Sequence, residues 1–520
     1  MQNARLRPVA MQRVVRWHRA AWIVSLLVSL LLSGIAAHNR KPWSDEGEFS
    51  SAAYNLAHHG FMGTTVLESA GTGLTRIDRH TYWIMPLFPL GQAVWYTFAP
   101  STVFWTRIYT LLWVPVAIAA LYGLLKCLFP RSNVPTLASC LYALSYILMD
   151  NAGFARPDVM CCALGIAGLA SFLYLRQQRF GWSLATSNAF IAASGLTHPN
   201  GIFHLIGLWT LILLFDRNRI TTRMLAYAVM PYVLFAAGWG IYIAQDPKAF
   251  IDQMRANSSF GRWPTSPNPF LILWAELRDR YFPVFGLVTR GFALLKTFSL
   301  AAYLGGIVVI LFNRGLRRQK SVRLLLILTA VYFLSMCIFN QKLSYYMVHI
   351  VPFYVSLLAI SITWLWDCLP RFRPVIAVVV LLLVSVDTGG LVMRAATRSY
   401  IRAERAALDF VRQHSRPDDR IIGSSALIYG MKFDPRLKDD PYLGLRSGTP
   451  PNMIVVEELY TIQFNAWSKE RPRDMAQIRA CLAQYQNAYH AEGYDVYLPR
   501  AGMQVAQGSA MPPFGETRAP

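Results

Sequence analysis

The sequence predicts a polytopic α-helical membrane protein with a small C-terminal α/β domain. Three observations lead there. Of its 520 residues, 54% are hydrophobic and only 15% charged. Apolar stretches of bilayer-crossing length recur along the first three quarters of the chain. From about residue 394 the composition turns polar and helical periodicity alternates with short strand-like runs. A mean hydropathy of +0.32 is too high for a water-soluble globule of this length.

The first element, "RLRPVAMQRVVRWHR" followed by apolar residues 20 to 37, has the layout of a signal peptide. Its apolar part would span roughly 27 Å as a helix, so with many later spans it reads as a retained first anchor. Ten further spans are expected near residues 104–128, 135–149, 159–175, 184–197, 201–215, 224–244, 292–312, 324–339, 345–366 and 375–393. The run at 82–98 ("YWIMPLFPLGQAVWYTF") decides the topology. If it crossed, the basic clusters at 176–179, 216–219 and 314–323 would all lie outside, against the positive-inside rule. Pro86 and Pro89 instead suit a broken interfacial or re-entrant helix. Eleven spans result, with the N-terminus cytoplasmic and the C-terminus extracytoplasmic. The transmembrane unit covers residues 1–393, with 38–103 as its first outer loop. The α/β domain covers 394–501, and 502–520 form a disordered tail.

Lys and Arg number 50 against 28 Asp and Glu, a formal charge of +22, and in such a chain the excess belongs to cytoplasmic loops. No nucleic-acid-binding pattern is present, so nucleic acid is not an expected partner. Of the seven cysteines, only Cys481 lies in the polar C-terminal part, which gives neither a disulfide framework nor zinc-ligand spacing.

The topology gathers "KPWSDEGEFSSAAYNLAHHG" (41–60), "DNAGFARPD" (150–158), "THPN" (197–200), the 245–291 loop and "NQKLS" (340–344) on one outer face. In the first stretch Phe49, Ala52, Ala53 and Leu56 share a helical face, with Ser44 as N-cap and Gly60 as the stop. Asp45 and Glu46 then occupy the first turn, where the helix dipole favours negative charge whether or not they do chemistry. An ionised carboxylate there can also take a proton from a hydroxyl nucleophile, and only one of the two need do so. In "KLSYYMVH", Lys342, Tyr345 or Tyr346, and His349 suit an anion, or equally interfacial anchoring. Arg156 and Asp158 pair with one another or help hold acceptor or phosphate. His198, Arg76 and Arg79 are further candidates. His58 and His59 fit the helix end electrostatically, while His204 and Asp387 are costly ionisable residues inside spans.

With these residues in place, the chain resembles the polyprenyl-phosphate-sugar-dependent glycosyltransferases of the GT-C superfamily. It is most similar to the bacterial branch of protein O-mannosyltransferase-like proteins and lipid A aminoarabinose transferases. The matching pieces are "DEGEFSSAAYNLAHHG", "YWIMPLFPLG", "RIYTLLWVPVAIAALYGLLKCLFP", "ARPD", "GLTHPNG" and "KLSYY", spread over about residues 15–370. The resemblance implies an inverting transfer from a polyprenyl-phosphate-linked sugar to a glycan, lipid or protein acceptor at a bacterial inner membrane. It implies Asp45 as base, Glu46 beside it, and Lys342 and Tyr346 on the donor phosphate. Arg156, Arg79 and His198 are further phosphate candidates, with Asp158 and His349 at the acceptor or cavity. The family's Lys-Pro-Pro is replaced by "RIDRHTYWIMP", leaving Arg79 or His80 for that cation, and His198 stands where relatives carry a Lys. No cofactor is required and no metal ligand is assigned, although Asp45 and Asp158 would share a divalent cation if they converged. The rival readings are a transporter or flippase, and a noncatalytic binder of lipid-linked sugars.

Overall fold

The computed structural model describes residues 7–258, 268–339 and 341–500. The expected tail at 502–520 lies outside the described residues. Among the described residues, eight helices are long and apolar enough to cross a membrane: Arg19–Asn39, Val103–Leu128, Asp158–Leu175, Thr222–Ile243, Gly291–Phe312, Lys320–Ile338, Val351–Cys368 and Pro370–His414. The other three expected spans are helical as well. Val134–Ala143 breaks and continues as Tyr146–Ala152, Gly201–Phe215 is short, and Phe180–Thr197 carries Ser183, Ser187, Asn188 and Ser194. Such helices are too short or too polar to cross alone, but inside a bundle their neighbours cover them.

The decisive 82–98 run forms only the ten-residue helix Leu87–Tyr96, about 15 Å long and thus too short to cross. Phe88, Gln92, Ala93 and Tyr96 are buried on one side, and Leu90, Val94 and Phe98 are exposed on the other. This amphipathic helix packs against helix Ser44–His59. The latter ends where expected, at Gly60 in the left-handed conformation (φ 76°). Its start is corrected by one residue: Trp43, not Ser44, is the N-cap. The Glu46 carboxylate, at the third helical position, reaches back to accept the Trp43 N–H at 2.8 Å, the half of a capping box that a Glu supplies.

The polar C-terminal part folds on a five-stranded sheet of order β2-β1-β3-β5-β4, with β1 Ile421–Ile422, β2 Leu437–Lys438, β3 Met453–Val456, β4 Tyr485–Ala491 and β5 Tyr494–Pro499. β1 runs parallel to β2 and β3, while β5 is antiparallel to both β3 and β4. The sequence pattern anticipates β1, β3, β5 and helix Arg405–His414. It misses the two edge strands, of which β4 exposes most of its side chains and carries little apolar signal.

This sheet unit grips helix Ser44–His59 directly. Tyr429 donates its hydroxyl to the Glu46 carbonyl at 2.9 Å and lies 2.7 Å from the Ser50 hydroxyl. Gly47 abuts the Ser425 carbonyl so closely that any Cβ there would collide with it. A bridge between Leu67 and Asp439 ties the first loop to the end of β2. Half-buried Glu48 faces the same contact, and burial, with Asp439 nearby, pushes its carboxyl up to about 8. The folded protein therefore holds this proton where the unfolded chain has released it, so stability falls as pH rises through that window. Glu48→Gln should flatten the thermal-melting profile between about pH 5 and pH 8 and raise the melting temperature at the upper end. A variant profile parallel to that of wild type would refute the assignment.

Candidate active site

The two adjacent carboxylates at the start of helix Ser44–His59 turn in different directions, as successive helical residues must. Glu46 points inward and is completely buried. Arg107 donates Nε to Glu46 Oε1 and Nη2 to Oε2, both at 2.8 Å. Glu46 Oε1 also accepts the Ala155 N–H at 2.7 Å. The remaining Arg107 donors go to the carbonyls of Ala37 (2.6 Å), Arg40 (2.7 Å) and Lys41 (3.1 Å). One satisfied ion pair thus joins the end of the first span, the start of the acidic helix, the span Val103–Leu128 and the "ARPD" turn. Arg107 escaped the sequence reading; its signal was an arginine inside an otherwise apolar span.

Asp45 faces the other way, its side chain 29% exposed, into a cavity of about 250 Å³. The wall is assembled from distant parts of the chain: Asp45 and Phe49, Trp83 to Pro89, Arg156 and Pro157, Thr197 to Pro199, Asn257, and Gln341 to Tyr346. Arg156 is the central cation. Its Nη1 pairs with Asp45, its Nε donates to Asp158 Oδ2 at 3.0 Å, and its guanidinium lies 3.6 Å from the centre of the Tyr345 ring. The rings of His198 and Tyr346 meet at 5.4 Å. Asp45, Arg156, His198 and Tyr346 are therefore brought together in one cavity.

The other expected residues lie elsewhere. Lys342 turns away and pairs with buried Glu276 at 2.8 Å, which in turn accepts from Arg280 at 2.7 Å. Arg280 donates to the Gln341 carbonyl at 3.0 Å, so the triad sits directly behind the cavity wall. Glu276 and Arg280, an ion pair on neighbouring helical turns, also escaped the sequence reading, because Lys342 and Gln341, which tie them to the cavity wall, are distant in the chain. Asp158 is buried and touches the site only through Arg156, and its Oδ1 has no hydrogen-bond partner among the described residues. Arg79 is exposed and lines none of the cavities described here.

His349 is fully buried, with Nδ1 3.1 Å from His204 Nε2, and His204 Nδ1 is 2.8 Å from the Tyr332 hydroxyl. Cys161, His204 and His349 bring one potential metal-ligand atom each within 4.8 Å of one another. Asp45 and Asp158 do not offer such a site, because the Arg156 guanidinium lies between them and already supplies the positive charge.

A second cavity of about 590 Å³ is lined mainly by apolar side chains, among them Leu56, Leu90, Leu196, Leu234 and Trp239, with His80, Tyr242 and Gln245 as polar members. It abuts the Asp45 cavity along two stretches. Pro86 and Leu87 face the apolar side where Met85 and Phe88 face the acidic one, and Leu196 precedes Thr197 and His198 in the same way.

No family model matches the chain, and no curated protein matches it by sequence. Solved structures do. ArnT from Cupriavidus metallidurans bound to undecaprenyl phosphate superposes with a TM-score of 0.59 at 14% identity, covering 92% of this chain and 98% of that one. The apo oligosaccharyltransferase of Archaeoglobus fulgidus gives 0.51 at 14% identity, covering 94% and 75%. The archaeal oligosaccharyltransferase AglB of the same organism, with an inhibitory peptide and a dolichol-phosphate, gives 0.51 at 13% identity, covering 93% and 74%. The chain therefore has the GT-C fold.

The two carboxylates should separate experimentally. Removing one partner of the Glu46–Arg107 pair leaves a buried charge uncompensated, at a cost of about 3–5 kcal/mol. Arg107→Ala or Glu46→Ala should give poorly folded protein with a clearly lowered melting temperature in detergent, and Asp45→Asn should melt close to wild type. Equal destabilisation by all three would refute this division.

Proposed function

We propose that this integral membrane protein is an inverting glycosyltransferase that moves a sugar from a polyprenyl-phosphate donor to an acceptor on the extracytoplasmic face. The observation that carries the reading is the juxtaposition of a carboxylate-lined cavity and a large apolar one, sharing the segment from Ile84 to Leu90 as their common wall. A lipid-linked sugar needs such a pair, with apolar cover for its tail and a polar chamber for its head group. The structural neighbours support the same chemistry: ArnT holds undecaprenyl phosphate and one archaeal neighbour holds a dolichol-phosphate.

In the proposed reaction the acceptor hydroxyl oxygen attacks the anomeric carbon and its proton passes to Asp45. The bond from that carbon to the phosphate oxygen breaks, and the polyprenyl phosphate leaves with the electron pair. Arg156 links the two events. With no phosphate present its guanidinium pairs with Asp45. An arriving donor phosphate competes for the same guanidinium, loosens its hold on Asp45 and receives stabilisation as charge develops on the leaving oxygen. His198 and Tyr346 would complete the phosphate's surroundings. Lys342 and Arg280 would contribute through the field behind the wall and not by contact. Glu46 holds the helix start and through it Asp45.

The reaction so drawn requires no metal. Cys161, His204 and His349 offer donors of the right type for a divalent cation, and an archaeal neighbour was solved with zinc and sulfate. We further propose the division into a transmembrane unit at 1–393 and an extracytoplasmic unit at 394–501. The N-terminus would be cytoplasmic, in a bacterial inner membrane, since that orientation leaves the basic loops at 176–179, 216–219 and 314–323 inside.

Asp45→Asn tests the reading directly. Loss of a positioned general base typically costs about 10²–10⁴-fold in rate. Membranes carrying the variant should fail to transfer sugar while the polyprenyl-phosphate-linked donor accumulates, both measured by mass spectrometry of lipids and surface glycans. Undiminished transfer by a well-folded Asp45→Asn protein would exclude Asp45 as base. Lipid-linked sugar reaching the outer leaflet unchanged in wild type and variant would favour a flippase.

A further inference from the structure

A third cavity, of about 300 Å³, has Arg156 and Tyr345 in its wall, as does the Asp45 cavity, and shares no lining residue with the apolar one. Its charged lining is Arg40, Arg156, Lys296 and Arg394 against a single carboxylate, Asp150. That carboxylate is already shared: Asp150 Oδ1 accepts from Arg40 at 3.1 Å, from Arg394 at 3.1 Å and from the Tyr146 hydroxyl at 3.2 Å. Lys296 has no carboxylate within ion-pair distance among the described residues, and its ammonium rests 3.6 Å from the centre of the Tyr146 ring. Arg40 is only 7% exposed and stacks 3.2 Å above Phe154. Aromatic faces thus hold two of the cations in place while leaving hydrogen-bond donors unused.

The ordinary explanation for such residues is anchoring at lipid head groups by side chains at the ends of spans. It does not suit this cluster. Arg40 is buried, and in the proposed orientation all four cations lie at the extracytoplasmic end, where the positive-inside bias works against Lys and Arg. Arg156 has Asp45 and Asp158, but among the described residues Arg40, Lys296 and Arg394 have only Asp150 between them, and such partly desolvated cations are costly without a further anion.

Building on the transfer reading, we propose that this cavity binds a phosphate or carboxylate group of the acceptor. The acceptor is then an anionic, membrane-borne molecule. Arg40, Lys296 and Arg394 hold its charge while its hydroxyl reaches Asp45 past Arg156. The donor's own phosphate is the other source of such an anion, but the apolar cavity that suits the donor tail abuts the Asp45 cavity and shares no lining residue with this one.

The test uses the purified full-length protein in detergent and three probes: lysophosphatidic acid, a monoacylglycerol of the same chain length, and undecaprenyl phosphate. Wild type should prefer lysophosphatidic acid over the neutral lipid by about tenfold or more, as charge-assisted hydrogen bonds to a phosphate require. The double variant Lys296→Gln/Arg394→Gln should lose that preference, with undecaprenyl phosphate binding within about twofold of wild type. Lys296→Arg/Arg394→Lys should restore it, and Arg371→Gln/Arg373→Gln, at the other end of the last span, should not affect it. The proposal fails if wild type shows no preference or if the preference survives in Lys296→Gln/Arg394→Gln. It also fails if undecaprenyl phosphate binding falls in parallel, which would assign the cavity to the donor. Wild type that prefers lysophosphatidic acid yet does not bind undecaprenyl phosphate would count against the transfer reading and leave the anion site standing.

Discussion

The buried pair between Glu46 and Arg107 is the constraint on which the rest of the site depends. A guanidinium inside an apolar bundle must have its charge and its donors answered, and this one finds a bidentate carboxylate and three carbonyls. Those partners come from the end of the first span and the start of the acidic helix, the guanidinium itself comes from a third segment, and Ala155 brings in a fourth by donating to the same carboxylate. Satisfying one charge therefore fixes the end of the first span, the entry of the acidic helix and the turn that carries Arg156. Asp45 and Arg156 meet because the groups beside them in sequence, Glu46 and Ala155, are bound to each other.

The sheet unit adds a second restraint from the opposite side. Tyr429 takes the backbone carbonyl of Glu46, and Ser425 packs on Gly47, where only a glycine leaves room. The first turn of the acidic helix is thus held from the bundle through a side chain and from the sheet through its backbone. In the proposed reaction Asp45 benefits from such double support, since a catalytic group displaced by about 1 Å can lose much of its effect. Residues far apart in the chain, near 45 and near 425, are thereby packed against one another.

What the sequence made legible follows from range. The interfacial helix, the spans and the acidic first turn depend on nearest neighbours and on periodicity, and all were readable. Segments around 45, 156, 198 and 346 were assigned to one face from charge asymmetry alone, and the cavity wall draws on all four. Identities of partners were not readable. Lys342 has the composition of a phosphate ligand, yet Glu276, which sits in the bundle sixty-odd residues earlier, claims it. Glu46 and Asp45 are indistinguishable in sequence, and only the position of Arg107 decides which turns inward. Short edge strands such as β2 and β4 were lost for a related reason, because two paired residues or an exposed strand leave almost no pattern to read.

The same geometry bears on why the proposed chemistry would sit beside a membrane. The apolar and acidic cavities meet along Ile84 to Leu90, a segment that opens with a proline-broken turn and continues into a helix too short to cross. Pro86 stands at the helix start, its carbonyl accepting the Leu90 N–H at 3.0 Å, and on the helix Leu87 and Leu90 face the apolar cavity while Phe88 and Pro89 face the acidic one. A straight span at that position would bury its whole apolar length in lipid and leave no wall between tail and head group. The failure of the 82–98 run to cross is accordingly what creates the boundary. The charge argument that rejected it as a span rests on distant basic loops at 176–179, 216–219 and 314–323, and the short local helix agrees with it independently.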